Sequence, residues 1–228
     1  RPSPPGKAYV FNNTTATTLS SITTGDRLGP TIDGKATDMI TIVMSDPMLK
    51  GEGLVKVGGS TGIRMSTDGS SLNVGPETAW LSGNPAEGVA PIKKGDLIYF
   101  LNDKGTTLQT VTRVASPNVY FESNADDVFK LNQRGAESGS ITQLLSGASS
   151  VALRRVFMFT YFVHQEDGGP PRLMGMLNHF PPQALPGVIE DLDITYDLVD
   201  GDVNPTDVDS LPFTLNGLTY SANQIRKV

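Results

Sequence analysis

The sequence predicts a mainly β protein, with antiparallel sheets joined by long loops and at most one or two short helices. Three observations carry that expectation. Residues 39–44 (MITIVM) and 153–164 (LRRVFMFTYFVH) are strand-length runs of β-branched, aromatic and aliphatic side chains. Glycine and proline, 24 and 16 of the 228 residues, recur along the whole chain as turn punctuation. The hydrophobic content of 38% suits a turn-rich globular protein rather than a helical bundle. A chain of this length buries about 70% of its unfolded surface, enough for a core without metal or disulfide. No charge run or proline-rich spacer separates two cores, so residues 1–228 read as one domain.

Each element follows from local pattern. Residues 35–44 (KATDMITIVM) are apolar on both faces from Met39, which predicts a central strand covered on both sides. LVKV (54–57) and IRMS (63–66) flank Gly58–Gly59–Ser60–Thr61–Gly62 and predict a hairpin. Residues 95–123 predict a three-stranded meander, turning at Asn102–Gly105 and at Ser116–Asn118. In 153–164, Phe157, Phe159 and Tyr161 share one face and Val156, Met158 and Phe162 the other. The polar bend QEDGGPP then leads to a partner strand, RLMGMLN (172–178). A helix is expected over 125–134, capped by Ser123 or Asn124, with Asp126 and Asp127 at its positive end and Gly135 as its stop. The polar stretches 12–34, 75–90 and 136–150 read as surface loops.

Charge is distributed unevenly. Residues 1–186 carry 16 acids and 16 bases, whereas 187–228 carry eight acids against Arg226 and Lys227. No basic stripe exists, so nucleic-acid binding is not expected. Cysteine is absent, which removes thiol nucleophiles, zinc–thiolate sites and disulfides. No run of 18 apolar residues is present. The opening RPSPPGKAYVF has neither an initiator Met nor a signal peptide, and reads as a mature or trimmed fragment.

The acidic stretch GVIEDLDITYDLVDGDVNPTDVDS (187–210) holds the densest candidate chemistry. With period two, Val188, Glu190, Leu192, Ile194, Tyr196 and Leu198 fall on one face and Ile189, Asp191, Asp193, Thr195 and Asp197 on the other. Apart from Glu190 and Ile189, that is a strand with a dry side and a wet side, and its carboxylates discourage edge pairing. A row on a wet face does not converge on a cleft as a catalytic pair must. Beyond it, Asp200, Asp202 and Asn204 have the i, i+2, i+4 spacing of hard oxygen ligands, with Asp207 and Asp209 close behind. These five are the candidate calcium ligands. Against that, Pro205 stands where an EF-hand needs Gly and no Glu closes the loop, so an acidic Asx-rich turn is the competing reading. No other cofactor is expected.

Other motifs carry less. Gly58–Gly62 matches G-x-S-x-G around Ser60, but no helix pattern follows, so a turn outweighs a nucleophile elbow. His164 and His179 lack a third ligand, and no phosphate-cradling glycine motif is present. No catalytic residue is assigned. Trp80, Tyr9 and Phe11 offer aromatic faces that a glycan-binding adhesion module would use, although core roles are commoner for single aromatics.

Taken together, TDMITIVMSDP (37–47), KKGDLIYFLND (93–103), RRVFMFTYFVHQEDGGPPRLMGML (154–177), ALPGVIEDLDITYDLVDGD (184–202) and NQIRKV (223–228) resemble one family. The chain resembles the minor pilins of type IV pili, of the PilW type, with the J-type pseudopilins of type II secretion as near relatives. The resemblance runs from about Lys35 to the end. It rests on the order of a TYFV strand, a polar bend, a Pro–Arg–Leu strand and the Gly187–Leu192 opening before Tyr196. The family's N-terminal apolar helix and its common cysteine pair are not in this sequence. The resemblance implies a non-enzymatic, β-rich extracytoplasmic head that takes part in assembling, priming or capping a filament. Its partners would be other minor pilins or the major pilin. It would lie on the periplasmic or extracellular face, anchored to the inner membrane by the missing helix before assembly.

Overall fold

The structure is a computed structural model. It describes residues 9–11, 14–16, 21–47, 55–75, 79–135, 139–166, 168–189, 191–221 and 224–228. Strand dominates. The first strands are β1 (Tyr9–Phe11), β2 (Thr14–Ala16), β3 (Ile22–Gly25), β4 (Thr31–Ile32), β5 (Lys35–Ala36), β6 (Met39–Ser45) and β7 (Val55–Val57). Then come β8 (Arg64–Met65), β9 (Ser71–Asn73), helix α1 (Ala79–Ser82), β10 (Leu97–Asn102), β11 (Gly105–Thr110), β12 (Arg113–Ala115) and β13 (Asn118–Tyr120). Helix α2 (Ile141–Leu145) precedes β14 (Ser150–His164), β15 (Arg172–Leu177), β16 (Gln183–Ala184) and β17 (Asp197–Leu198). β18 (Phe213–Leu215), β19 (Leu218–Tyr220) and β20 (Ile225–Lys227) finish the chain. The chain gathers into two compact units, 1–19 with 44–157 and 20–43 with 158–228, whose boundaries at 43–44 and 157–158 fall within β6 and β14.

In the first unit the strand order is β11-β10-β14-β7-β8-β9-β13-β12. The two ends of that path are consecutive in the chain, joined through Val111–Thr112. Val111 N–H donates to Asp96 O (2.8 Å) while Thr112 N–H donates to Tyr120 O (2.9 Å), so one bent strand serves both neighbours. The sheet thus rolls back on itself around a core that includes Leu72, Ile98, Phe100, Phe121 and Trp80. Phe100 and Phe121 meet edge to face at 5.4 Å and 84°, a geometry worth about 0.5–1.5 kcal/mol beyond area burial. Helix α2 adds Ile141, Leu144 and Leu145 to this core. Ser140 caps it by accepting the Gln143 N–H at 3.2 Å. Gly69 (φ 73°) lies so close that a Cβ there would sit 2.5 Å from Ile141, which requires glycine in this turn.

In the second unit β6 lies between β3 and β14, while β15 pairs β14 on the way to β16. The hydroxyls of Thr41 and Thr160 meet at 2.7 Å between β6 and β14. A small core gathers Ile194, Tyr196, Leu198, Val208 and Tyr220. The hairpin β18–β19 turns on Asn216 (φ 51°) and Gly217 (φ 79°), the left-handed pair that a two-residue hairpin loop demands.

Several expectations hold. β14 and β15 form the hairpin read from 153–178, with Phe159 opposite Leu177 and His164 opposite Arg172. Val156 and Met158 are buried, whereas Phe157, Phe159 and Tyr161 are half-buried. Others are corrected. Residues 125–134 form turns, not a helix. Asp127 gives one carboxylate oxygen to Leu131 N–H (3.0 Å) and the other to Asn132 N–H (2.8 Å), and Lys130 is left-handed (φ 55°). Side-chain acceptors have taken the donors a helix would use. β7 and β8 run parallel, not as a hairpin, because left-handed Gly58, Gly59 and Gly62 carry the chain round a longer loop. The meander is two hairpins, split at Val111–Thr112. The strand expected at 35–44 begins at Met39. Ile40 and Ile42 are only half-buried and Met44 is 50% exposed, so it is not covered on both sides. The stretches read as loops hold β2 to β4, α1 and α2.

The dominant electrostatic feature of the first unit is a buried cluster on β14. Arg155 meets Asp46 through Nε (2.7 Å) and Nη2 (2.5 Å), and Asp96 through Nη1 (3.5 Å). All three side chains are at most 4% exposed. Nη1 also donates to the carbonyls of Ala90 (2.9 Å) and Pro91 (3.2 Å). Two carboxylates share one guanidinium, and burial pushes the Asp96 carboxyl up, against the Lys93 N–H and Arg155 that favour its charged form. Removing Asp46 (Asp46→Ala) leaves a buried cation half-compensated and is expected to cost about 3–5 kcal/mol in urea unfolding. Asp96→Asn is expected to cost less. The raised folded value makes the protonated Asp96 contribution fully present below the unfolded value of 3.8 and lost as pH rises through the folded one. Stability of Asp96→Asn should therefore fall less steeply than wild type over that window, and parallel pH profiles would contradict the assignment.

Candidate functional site

The expected ligand loop begins where β17 ends. Leu198 N–H donates to Pro205 O (2.7 Å) and Val199 N–H to Gln224 O (2.8 Å), which fixes both ends of the loop. Inside it, Asp200 Oδ1 accepts the N–H groups of Asp202 (2.7 Å), Val203 (2.9 Å) and Asn204 (3.2 Å). In return Asn204 Oδ1 accepts from Asp200 N–H (3.2 Å) and Gly201 N–H (3.3 Å). Gly201 (φ 92°) and Asn204 (φ 48°) supply the left-handed corners. The other Asp200 oxygen accepts the hydroxyl of Tyr220 on β19. That bond, helped by the backbone donors, holds the Asp200 carboxyl down at about 2. The same bond holds the buried Tyr220 phenol up at about 12.

Asp200 and Asn204 therefore meet as caps of one turn, while Asp202, Asp207 and Asp209 are exposed to solvent. Among the described residues no group of three or more His, Cys, Asp or Glu side chains is placed to hold a metal ion. Tyr220 had no signal in the sequence. It reaches Asp200 through the fold of a hairpin rather than through spacing.

The rest of the acidic stretch is only partly as expected. Residues 187–189 and 191–195 lie outside any strand, Tyr196 makes an isolated antiparallel bridge to Val208, and the ladder is Asp197–Leu198 against β20. Asp38 explains this. Its backbone N–H donates to Leu192 O (3.0 Å) and its carboxylate accepts Ile194 N–H (3.0 Å), so one residue stands in for a partner strand. The wet and dry alternation survives without the ladder, with Asp191 and Asp193 exposed and Ile194, Tyr196 and Leu198 buried. Asp191 pairs with exposed Lys35. Glu190 lies outside the described residues.

The remaining candidates are scattered. Ser60 is exposed on the loop between β7 and β8, and no helix follows it. His164 and His179 fall near opposite ends of the β14–β15 hairpin, the second stacked on Phe180 at 5.3 Å. A cleft of about 220 Å³ beside His164 is lined also by Glu166, Arg172 and Met174, and none of its lining side chains is a hydroxyl or thiol nucleophile. Trp80 is 8% exposed within the core, the commoner role for a single aromatic, and so offers no open face to a sugar. The side chains of Tyr9 and Phe11 lie outside what is described. No described helix is long and apolar enough to cross a membrane. Comparison with protein-family models, with curated proteins and with solved structures gives no match.

Asp200 already accepts four hydrogen bonds, so a calcium ion would have to displace Tyr220 or the backbone. Calorimetry with millimolar calcium is expected to show no heat of binding. Tyr220→Phe is expected to move the Asp200 titration up from about 2 toward the ordinary carboxylate value of 3.8, read by NMR. The stability that Asp200 contributes is present above 3.8 and lost as pH falls toward about 2. An unchanged titration in Tyr220→Phe would contradict the bond.

Proposed function

We propose that the chain is the β-rich head of a minor-pilin-type assembly subunit, working through protein–protein contacts rather than chemistry. Its sequence resemblance and its mainly antiparallel β fold support that reading. The observation that carries it is the surface of the C-terminal segment. Val188, Val199, Val203 and Leu218 are 59%, 41%, 48% and 53% exposed. The exposed carboxylates of Asp191, Asp193, Asp202, Asp207 and Asp209 lie between them in the sequence. Single exposed apolar residues are ordinary on protein surfaces. Apolar side chains set among exposed charges are the composition of a docking surface, where the charge selects the partner and the apolar tips supply contact area. On this reading the partners are other pilin subunits, and the head works outside the cytoplasm on an apolar N-terminal anchor.

The test is the N-terminal sequence and mass of the native protein taken from membranes. A processed N-terminus leading into about 20 apolar residues is the expected result. A conventional signal peptide with no apolar helix behind it would overturn the pilin reading.

A further inference from the structure

The first unit carries an open cleft of about 450 Å³. Buried Ile92 and half-buried Val114 contribute apolar surface, and Lys93, Lys94 and Arg113 bring positive charge. Two carboxylates lie among them. Asp126 pairs with Lys94 at 2.7 Å and Glu122 with Arg113 at 3.1 Å, all with side chains 39–57% exposed. Exposed pairs of this kind are worth about 0–1 kcal/mol, so an incoming carboxylate can exchange with them at little cost. The Arg113 guanidinium carbon lies over the Tyr120 ring, 3.5 Å from its centroid, a contact that orients the group before any partner arrives.

The acidic loop has the complementary form. Val203 projects to solvent beside the exposed carboxylate of Asp202. The hydrogen bonds made by Asp200 and Asn204 hold that tip in one conformation, so little ordering entropy is lost on docking. We propose that the 199–204 loop of one copy seats in the Ile92–Arg113 cleft of a second copy, with Val203 against Ile92 and Val114 and Asp202 toward Lys94 and Arg113. Charge complementarity within one sequence names this occupant. Residues 187–228 carry eight acids and two bases, and the cleft carries three cations and two carboxylates. This rests on the assembly-subunit reading and gives it a specific self-contact.

The experiment is sedimentation of the whole chain over a range of concentrations at low and high ionic strength, with two charge reversals. Wild type is expected to self-associate at low salt and to dissociate as salt screens the contact. Lys94→Glu with Arg113→Glu, and separately Asp202→Lys with Val203→Ser, should each weaken association by roughly tenfold or more. Mixing the two variants should restore it, because each then offers the charge the other lacks. Circular dichroism of each variant separates loss of contact from loss of fold. A monomeric wild type at low salt, or association that neither reversal weakens, overturns the proposal. Both results leave the native N-terminus, and with it the assembly reading, to be decided separately.

Discussion

Arg155 is the constraint around which the first unit is organised. It sits on β14, the longest strand, and its guanidinium reaches Asp46 beyond β6, the carbonyls of Ala90 and Pro91, and Asp96 before β10. Three segments distant in sequence are thus tied to one side chain in a dry interior. Asp46 N–H also donates to Arg155 O at 2.9 Å, so backbone and side chain fix the same register. Such a cluster is not a strong source of net stability, because desolvating the charges offsets much of their attraction. Its effect is selective. A one-residue slip of β14 would leave a guanidinium and two carboxylates buried without partners, a cost the correct register avoids.

A second theme is carboxylates committed to backbone donors. Asp38 accepts from Arg27 N–H at 2.8 Å and from Ile194 N–H. Asp127 holds Leu131 and Asn132, and Asp200 holds its own loop. In each case a short acidic side chain shapes irregular backbone that no ladder supports. This is why a chain with 24 acidic residues can look rich in ligands while using several of them as structural caps. Asp202, Asp207 and Asp209, on the C-terminal segment, are left exposed to solvent.

What could be read from sequence follows the same division. Local pattern revealed the β14–β15 hairpin, the turns at 102–105 and 116–118, and the alternation of Asp191 and Asp193 with Ile194 and Tyr196, because each depends on neighbours in the chain. The non-local pairs were not legible. Asp127 gives no sign that its acceptors will defeat the helix pattern around it. The parallel pairing of β7 and β8 depends on loop path rather than on their residues. Arg155 reads as one of two adjacent arginines in a strand, and only the fold distinguishes it from exposed Arg154. At the candidate site, the Asx spacing correctly marked a tight turn, whereas the role of Tyr220 required the β18–β19 hairpin.

The Ile92–Arg113 cleft lies in the same unit as Arg155, and an oriented cleft needs a body that holds it. Hydrogen exchange followed residue by residue tests that most directly. The amides of β14 from Val151 to Phe157, with their partners on β10, are expected to be the last in the first unit to exchange, and Asp46→Ala should lower their protection together. Early exchange of β14 in the wild type, or protection untouched by loss of Asp46, would contradict the central place given to Arg155.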